Sequence, residues 1–462
     1  MKTALFQFDP ELLTLAGLVR EKGGELFVVG GHVRNTLLGI PVSDTDVTSR
    51  LRPDEMLRLC RENGFGTVEK GLAFGMVEVH INGKSYEHTT FRADSYGEGG
   101  AHRPSSVSFS DTPEEDAFRR DFSVNALYAC VLSGEVLDPT GGVPDLENRL
   151  IRTTTADPET ILRDDGLRLL RLCRFAAELG FDIEERTFAA ARELSPLLAD
   201  VSAERIRDEL IKILMADAKY GLPAEDSVLR GLHAMDELRL IDVFLPELAA
   251  CRGVPQSAKF HRFPVLEHIF RTTALSKPVL PLRLACLFHD IAKPIMLEKQ
   301  GNMHGHDLEG ERICREIMTR LRFDNGTTEL VCWLVRHHMF DLDGRAKDST
   351  LKKRFCRWGR ERTLLLADVR EADFQGSVGE TIEVRSALRW RSVLHEMTEK
   401  NTPFSESELA VTGRDVMEAL SLPPSPEIGR IKAALLSHCA VRPQDNTREK
   451  LLKLARDAAG RS

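Results

Sequence analysis

The amino-acid sequence predicts an α+β protein, with an α/β domain at the start and a long all-α region after it. Over the first 150 residues, short β-branched apolar runs separated by glycine-rich turns alternate with helical patterns. From about Thr160 onward, apolar residues recur at intervals of three and four, which is the spacing of one helix face. The 462 residues suggest roughly three domains, at about 150 residues per domain.

The composition excludes several classes of protein. A net charge of −8 excludes a polycation that coats nucleic acid, although it leaves room for a local basic surface. The chain reaches Asp9 before any long apolar stretch forms, so we expect no signal peptide, and no run approaches the roughly 18 apolar residues of a membrane span. Nine scattered cysteines without a CxxC pair favour reduced thiols in a cytoplasmic protein.

The first predicted strand leads into a pair of glycines. The apolar run Leu26–Val29 predicts a strand, Gly30 and Gly31 follow it, and residues 32–38 predict a helix. Glycines let a phosphate approach the backbone, and the N-terminus of the helix offers N–H donors and a positive dipole. Arg34, in the first turn of that helix, brings a guanidinium group within reach of the same phosphate.

A pair of aspartates comes soon after this helix. Asp44 and Asp46 are two residues apart, and side chains at that spacing on a strand point to the same face. Two such carboxylates can bind one divalent ion, and Mg²⁺ is typically coordinated by carboxylates together with phosphate oxygens of a substrate. The strand, the glycine pair, the arginine and the two aspartates together predict a nucleotide site that uses Mg²⁺.

A hairpin is predicted further along the chain. Residues 76–81 alternate between apolar and polar side chains, and Asn82-Gly83 is a strong signal for a two-residue turn. Residues 85–91 alternate in the same way, so we expect them to form the partner strand.

From the glycine pair onward, the sequence resembles the class II tRNA CCA-adding enzymes and their poly(A) polymerase relatives. The resemblance implies a nucleotidyltransferase α/β head domain over residues 1–152, followed by a long all-α neck, an HD-type body and a tail. The neck at 153–225 would select the base, the body at 226–385 would hold a metal, and the tail at 386–462 would bind tRNA. The segments that carry the resemblance follow the order of the family and span essentially the whole chain: Gly30–Asp46, Glu87–Arg92, His102–Phe109, Arg119–Leu127, Asp138–Gly142, Asp164–Phe175, Ser202–Leu210, Leu409–Val416 and Asn446–Leu452.

The resemblance also implies roles for individual residues of the head. Asp44 and Asp46 would hold two Mg²⁺ ions, one that lowers the pKa of the RNA 3′-hydroxyl and one that stabilises the departing pyrophosphate. Glu87 would be a third ligand or a group that orients the ligands. The nucleotide would be bound by Gly30, Gly31, Arg34, Arg120, Asp121 and Asn125. For Arg120, Asp121 and Asn125, the alternative is a capped helix start.

In the neck, a carboxylate and a guanidinium are expected side by side. Asp165 and Arg168 are three positions apart, which predicts that they are neighbours on one helix face. In the family this pair selects cytosine or adenine without a nucleic-acid template. Arg171 and Arg174 continue at the same spacing and would reach phosphates. The alternative for all four residues is a solvated face with salt bridges.

Some positions depart from the family pattern. Asn35 stands where an aspartate is usual, Gly166 replaces a proline, and Asp164 replaces a glutamate. None of these changes removes a predicted metal ligand or the base-selecting pair, but they bear on nucleotide specificity. The glycine-containing stretch 93–100 is long enough to be the loop that the family uses for A addition, which argues against an enzyme that adds only CC.

A second set of metal-ligating residues lies in the helical region. Adjacent histidine and aspartate on a helix supply two ligands, and residues on other helices complete a carboxylate–imidazole site. The order of these histidines and aspartates resembles the HD phosphohydrolase domain. Candidate substrates for such a site are 2′,3′-cyclic phosphates and phosphomonoesters. The alternative is that the domain is an inactive helical spacer. The implied ligands of a divalent transition metal are His268, His289, Asp290 and Asp373, with His306 and His337 able to join a second metal and Asp368 as the rival of Asp373.

The sequence therefore predicts a template-independent tRNA nucleotidyltransferase that adds CCA to tRNA 3′ ends from CTP and ATP. The alternatives within the family are a poly(A) polymerase and an enzyme that adds only A. From another class, the alternative is a phosphohydrolase of HD type whose head merely binds a nucleotide. The expected partners are tRNA and the two nucleotides, and neither a membrane nor a protein partner is implied.

Overall fold

A computed structural model describes residues 6–42, 44–95 and 106–459. Most of the predicted loop at 93–100 lies outside the described residues. The chain divides into two compact units, Met1–Ala249 and Ala250–Ser462. The four-part division expected from the sequence stays a prediction.

All strands of the described residues lie in the first unit. They are β1 (Phe27–Val29), β2 (Asp46–Ser49), β3 (Gly66–Gly71), β4 (Met76–Ile81), β5 (Lys84–Thr90), β6 (Arg92–Ser95), β7 (Ser106–Phe109), β8 (Tyr128–Cys130), β9 (Val136–Leu137), β10 (Leu150–Ile151) and β11 (Asp182–Ile183). Seven of them form a mixed sheet in the order β3-β4-β5-β2-β1-β8-β9, while β6 pairs with β7 and β10 with β11.

The register of the large sheet sets up the site. β2 runs parallel to β5 with Asp46 opposite Glu87, whereas the other neighbours in this sheet are antiparallel. The predicted hairpin is confirmed, because Asn82 and Gly83 take the positive φ values of 48° and 82° that join β4 to β5. β1 is buried along its whole length, as its continuous apolar run suggests, while β4 alternates between buried and half-buried side chains.

The first unit also contains the following helices among its described residues. They are α1 (Pro10–Glu21), α2 (Gly31–Leu38), α3 (Pro53–Glu62), α4 (Pro113–Phe118), α5 (Gly142–Glu147), α6 (Pro158–Asp164), α7 (Leu167–Leu179), α8 (Glu185–Glu193), α9 (Ala203–Leu214), α10 (Ala216–Tyr220), α11 (Arg230–Glu237), α12 (Leu240–Phe244) and α13 (Pro246–Ala249). Gly39 and Gly180 follow α2 and α7 with φ values of 68° and 65°, the left-handed conformation that ends a helix.

The second unit is helical throughout its described residues. Its helices are α14 (Val265–Leu275), α15 (Leu280–Phe288), α16 (Lys293–Gln300), α17 (His306–Arg320), α18 (Asn325–His337), α19 (Asp348–Trp358), α20 (Arg360–Val378), α21 (Arg385–Glu399), α22 (Gly413–Leu420), α23 (Pro426–Cys439) and α24 (Arg448–Ala459). A mixed sheet in one unit and helices in the other confirm the predicted α+β class.

Short turns complete the element list. Short 3₁₀ helices occur at Leu72–Phe74, Ser123–Asn125, Ser195–Asp200, Glu406–Glu408 and Pro443–Asp445, and Glu225–Leu229 forms one turn of π-helix. The nine cysteines are all free and buried, as expected. Among the helices of residues 6–42, 44–95 and 106–459, none has the length and apolar character that crossing a membrane requires.

Two helices of the second unit cross in close contact at a glycine. A Cβ atom on Gly376 of α20 would lie 2.2 Å from Oγ1 and 2.7 Å from the backbone nitrogen of Thr272 on α14. Thr272 is one turn from His268, and Gly376 is about one turn from Asp373. This glycine therefore allows the approach that brings two candidate metal ligands together.

We expect Gly376→Ala to lower the free energy of unfolding by ~1–3 kcal/mol, because the added methyl group overlaps the backbone of α14. The variant should also bind divalent metal less tightly, since the two helices must separate. Chemical denaturation and a metal titration measure both effects. Gly429→Ala on α23 is the matched control, because nothing lies within 4 Å of its Cβ position. Equal stability of the two variants would contradict this packing argument.

Candidate functional site

The first unit contains a polar cleft of about 520 Å³ at the end of the sheet where β2 begins. Four carboxylates line it, those of Asp44, Asp46, Asp121 and Asp165. A cleft with more positive than negative groups suits an anionic ligand such as a nucleotide. Its nine cationic side chains are Arg34, Arg92, Arg119, Arg120, Arg168, Arg171, Arg174, Arg205 and Lys219.

The glycine pair lies at one wall of this cleft. Gly30 precedes α2 with φ 71° and ψ −125°, a conformation that a side chain would strain. The N-terminus of α2 follows at once, so its backbone N–H groups face the region where both glycines line the cleft. Arg34 is buried beside them, and its guanidinium lies 5.4 Å from the centroid of the Phe175 ring.

The predicted metal-binding carboxylates come together at the same end of the sheet. Asp46 begins β2, Asp44 precedes the strand, and Glu87 lies opposite Asp46 on β5. Desolvation raises the pKa of Asp46, the charges of Glu87 and Asp44 raise it further, and Arg120 opposes them. Three carboxylates in this arrangement are a donor set suited to a divalent cation, whose charge would relieve the repulsion at Asp46.

Two of the cleft arginines are held by one buried aspartate. Asp116, with no exposed surface, accepts hydrogen bonds from Arg119 at 2.9 Å, from Arg120 at 2.9 Å and from the hydroxyl of Tyr128 at 2.8 Å. Burial acts to raise the pKa of Asp116, but the two guanidinium groups lower it to about 2. Arg120 is therefore fixed in orientation. The sequence offered a signal for Asp116 in its spacing of three and four residues from the two arginines.

The predicted set Arg120, Asp121 and Asn125 is brought into the cleft. Asp121 accepts hydrogen bonds from Arg171 and, at 2.8 Å, from the backbone N–H of Phe122, while the amide oxygen of Asn125 accepts from Arg34. Burial acts to raise the pKa of Asp121, and Arg171 lowers it to about 2. These contacts join the head segment to α7, so the set does more than cap a helix.

The structure corrects the expected arrangement of Asp165 and Arg168. Asp165 lies before α7 with extended backbone at φ −151°, so the two residues do not share a helix face. The Asp165 carboxylate accepts from Arg205 of α9 at 2.6 Å. Arg168 donates to the carbonyl oxygens of Ile161 at 2.7 Å and Arg119 at 2.9 Å. Both still line the cleft, each oriented by its own partner.

The other two arginines of α7 are also engaged in ion pairs. Arg171 pairs with Asp121, and Arg174 donates to Glu209 at 2.6 Å and contacts Glu178 at 3.2 Å. Arg174 is buried and lies 4.0 Å from the centroid of the Phe175 ring. These pairs fix the two side chains at the edge of the cleft, where both line it.

The second unit brings its histidines and aspartates into two adjoining groups. In the first group, Nε2 of His268 lies 3.0 Å from Nε2 of His289 and 3.2 Å from Oδ1 of Asp373. In the second, Nε2 of His306 lies 3.1 Å from Nε2 of His338 and 3.2 Å from Oδ1 of Asp290. Each group places three ligand atoms within 4.8 Å of one another.

Asp290 joins the two groups. Its Oδ2 lies 3.3 Å from His268 and 3.2 Å from His289, while its Oδ1 faces His306 and His338. A carboxylate with one oxygen in each group can bridge two metal ions. The side chain is 2% exposed, and the charges of His289 and Lys293 overcome its desolvation and hold its pKa well below the usual range.

The histidine rings are oriented by backbone carbonyls. Nδ1 of His289, His306 and His338 lies 2.6–2.7 Å from the carbonyl oxygens of Cys286, Met303 and Val335. A carbonyl only accepts, so each Nδ1 carries a proton and donates it to that oxygen, which turns the Nε2 edge of each ring toward its group. The imidazole nitrogens and carboxylate oxygens that converge in each group are ligand atoms of divalent transition metals, and Nδ1–H bonds to backbone carbonyls commonly orient such ligands, so the donor set fits divalent metal ions.

The structure places His337 outside both groups and His338 inside. Nδ1 of His337 lies 2.8 Å from the Trp333 carbonyl oxygen, and its ring stacks on Trp333 at a centroid distance of 4.5 Å. Neighbouring residues on a helix point about 100° apart, so only one of the pair can face the metal groups. The sequence alone does not tell which histidine of the pair turns inward.

The choice between Asp368 and Asp373 is also made by geometry. Asp373 joins His268 and His289, whereas Asp368 accepts from Lys277 at 2.7 Å and from Arg391 at 2.6 Å. Sequence reasoning missed Lys293, which contacts Asp290 and donates to Gln256 at 2.6 Å. The spacing of three residues from Asp290 is the signal that could have found it.

Three family models match parts of the chain. The Poly A polymerase head domain matches residues 26–152, and the model described as the probable RNA and SrmB-binding site of polymerase A matches residues 180–252. The HD domain model matches residues 265–373. These ranges contain three of the four cleft carboxylates, those of Asp44, Asp46 and Asp121, and both histidine groups.

The chain is also similar to known proteins along most of its length. It is 30% identical to a CCA-adding enzyme of Streptococcus gordonii over 91% of this chain and 90% of that protein. A CCA-adding enzyme of Streptococcus sanguinis is 38% identical, but the match covers 60% of this chain and only 63% of that protein. The solved structure of the Bacillus stearothermophilus CCA-adding enzyme in complex with CTP has a TM-score of 0.72 at 26% identity, covering 98% of both chains.

We expect His338→Ala to reduce the amount of divalent metal that the protein binds, because it removes one ligand of the second group. His337→Ala should leave metal binding unchanged, since that ring lies on Trp333. Titration with Mn²⁺ or Co²⁺ and elemental analysis of the purified variants measure both. An equal loss in the two variants would contradict the assignment of His338.

Proposed function

Because the chain belongs to the family of CCA-adding enzymes, we propose that it is a tRNA nucleotidyltransferase that adds C, C and A to tRNA 3′ ends from CTP and ATP. The observation that carries the proposal is the register of Asp46 with Glu87, together with the position of Asp44 and Asp46 in the lining of a cleft rich in arginine. A tRNA substrate and nine free cysteines support a cytoplasmic location.

The residues around the cleft would bind the nucleotide by charge and by fixed hydrogen-bonding groups. The N-terminus of α2 with Gly30, Gly31 and Arg34 offers donors to the triphosphate. Arg120 is held by Asp116, so its guanidinium keeps one orientation when a phosphate arrives. Asp121 and Asn125 offer an acceptor and an amide to the ribose hydroxyls. Positions fixed before binding lower the ordering cost of the nucleotide.

We propose that Asp44 and Asp46 hold Mg²⁺, with Glu87 as a further ligand or an orienting group. Bound Mg²⁺ would lower the pKa of the RNA 3′-hydroxyl and neutralise charge on the departing pyrophosphate. The chain's own contribution is placement, because phosphoryl transfer needs little covalent chemistry from a protein. The arginine-lined wall adds positive charge where the triphosphate would lie.

Base selection would fall to Asp165 and Arg168. Their hydrogen bonds to Arg205 and to backbone carbonyls hold an acceptor and a donor fork in fixed positions. A fixed pair can match the Watson–Crick edge of a base without a template strand. Arg171 and Arg174 would extend this wall toward phosphates.

Asp46→Asn should abolish nucleotide transfer, by about a thousandfold or more, because loss of a metal ligand removes several kcal/mol of transition-state stabilisation. Asp54→Asn is the control, because Asp54 is an exposed residue of α3. Among the ion pairs of the described residues, its side chain takes part in only one, with Arg58 at 3.8 Å. Incorporation of labelled CTP into tRNA measures both. Retained turnover in Asp46→Asn would refute the metal assignment.

The substrate is tested with tRNA transcripts that end before CC or before A, with each nucleotide supplied separately. Ordered addition of C, C and A to tRNA alone supports the proposal. Long A tails on any RNA would indicate a poly(A) polymerase, and addition of A only to the second transcript would indicate an A-adding enzyme.

We further propose that the second unit carries a metal-dependent phosphohydrolase site. The two joined histidine groups bridged by Asp290 favour it over a helical spacer, because buried convergent imidazoles serve no packing purpose. A pair of divalent transition metals there would polarise a phosphate ester and activate water. Its candidate substrates are 2′,3′-cyclic phosphates and phosphomonoesters at RNA ends.

Asp290→Asn should remove metal-dependent hydrolysis of 2′,3′-cyclic AMP and p-nitrophenyl phosphate and leave tRNA transfer intact. Asp368→Asn is the matched control, because that aspartate pairs with Lys277 and Arg391 instead of the histidines. Circular dichroism reports folding of both variants. Wild-type protein that binds metal but hydrolyses neither compound would contradict this second activity.

A further inference from the structure

Arg34 is a buried cation with neutral partners. It is 3% exposed, and its guanidinium donates to the side-chain oxygen of Asn35 at 2.9 and 3.0 Å, to that of Asn125, and to the hydroxyl of Tyr220 at 3.3 Å. Within the described residues, no carboxylate forms an ion pair with it. A buried charge without an opposite charge is costly, and an anion that enters the cleft relieves that cost.

The orientation of the Asn35 amide follows from its partners. Arg34 can only donate, so the group that accepts from it at 2.9 and 3.0 Å is the amide oxygen. The carbonyl oxygen of Pro41 can only accept, so the group 2.8 Å from it is the amide nitrogen. The second N–H of that nitrogen then points to the Tyr220 hydroxyl at 3.0 Å.

The Tyr220 hydroxyl therefore receives hydrogen bonds from two groups that cannot accept one. Its own proton cannot go to Asn35 or to Arg34, and no other partner for it occurs in the part of the chain that the structure describes. Tyr220 is half-buried and lines the cleft. The hydroxyl proton of Tyr220 is therefore available for donation to an acceptor in the cleft.

The surroundings of this hydroxyl indicate the acceptor. Arg34 and Lys219 are its cationic neighbours. The Lys219 ammonium lies 5.4 Å from the Tyr220 ring centroid and also pairs with Glu178 at 3.0 Å, so among the described residues Arg34 is the neighbouring cation without an acidic partner. Positive neighbours favour an anionic oxygen, and phosphate oxygens are the anions that a nucleotide and an RNA end carry. An aspartate at position 35, usual in the family, would accept the Tyr220 proton and pair with Arg34.

We propose that Tyr220 contacts the substrate by donating a hydrogen bond from its hydroxyl to a phosphate oxygen, and that Asn35 is the positioning residue that directs this proton into the cleft. The neutral amide also keeps the charge of Arg34 available to the same phosphate. The proposal rests on the nucleotidyl transfer proposed for this cleft. The phosphate belongs to the nucleotide triphosphate or to the RNA 3′ end.

Tyr220→Phe is expected to raise either the KM for the nucleotides or the KM for tRNA by about tenfold, because a hydrogen bond to a charged phosphate is lost while the ring stays in place. KM and kcat are measured separately for CTP, ATP and tRNA. A higher KM for the nucleotides assigns the contact to the triphosphate, and a higher KM for tRNA assigns it to the RNA end. Wild-type protein without transfer activity would overturn the proposed function itself.

Tyr86→Phe is the matched control for loss of a hydroxyl. Tyr86 donates to Asp9 at 2.5 Å on the same unit and does not line the cleft, so its KM values should equal those of the wild type. Thermal unfolding of both variants reports folding. An active wild type and a Tyr220→Phe variant with unchanged KM values for all substrates would overturn the inference, as would a fall in kcat alone.

Asn35→Asp tests the positioning role through a double-mutant cycle. The variant is expected to raise the same KM as Tyr220→Phe, because its carboxylate would take the tyrosine proton. Adding Tyr220→Phe to Asn35→Asp should then change that KM little, since the contact is already lost. Additive effects of the two substitutions would show that Asn35 does not direct the hydroxyl and would overturn that part of the inference.

Discussion

The cleft of the first unit depends on the ion pair between Asp121 and Arg171. Asp121 is buried, and its bond to Arg171 ties helix α7 to the segment that carries Asn125. Loss of Arg171 would leave the buried Asp121 carboxylate without its compensating charge, which is unfavourable. Arg168 strengthens the same connection through the Arg119 carbonyl. Without these contacts, the sheet carboxylates and the arginines of α7 would not face one cavity.

Neutral and charged partners divide the arginines of this cleft into two groups. The charge of Arg120 is compensated by Asp116, that of Arg171 by Asp121, and that of Arg174 by Glu209 and Glu178. These three side chains therefore mainly shape the cleft with fixed orientations. Arg34 is surrounded by amide and hydroxyl oxygens and keeps its charge for a ligand. The second unit has the opposite charge preference, because its clustered imidazole nitrogens and carboxylates are suited to bind cations.

Much of the fold could be predicted from the sequence because its signals are local. Gly39 and Gly180 end helices, and Asn82-Gly83 forms a hairpin, because the backbone conformation needed there favours those residues over most others. The inward turn of His338 instead of His337 was not predictable, since it depends on how α18 rotates against its neighbours. The extended backbone of Asp165 was missed because spacing alone cannot show where one helix ends and the next begins.

By itself, the sequence determined the class of the fold, the order of its elements and the chemical types of the site residues, because periodicity, turn residues and motif spacing act over short stretches of chain. Only the tertiary structure decided which of those residues meet. Asp46 and Glu87 come into register through a parallel strand pair, and Tyr220 reaches Arg34 from a helix far along the chain. Such meetings follow from the packing of strands and helices that are distant in sequence, and burial then fixes which hydrogen-bond directions remain open to a ligand.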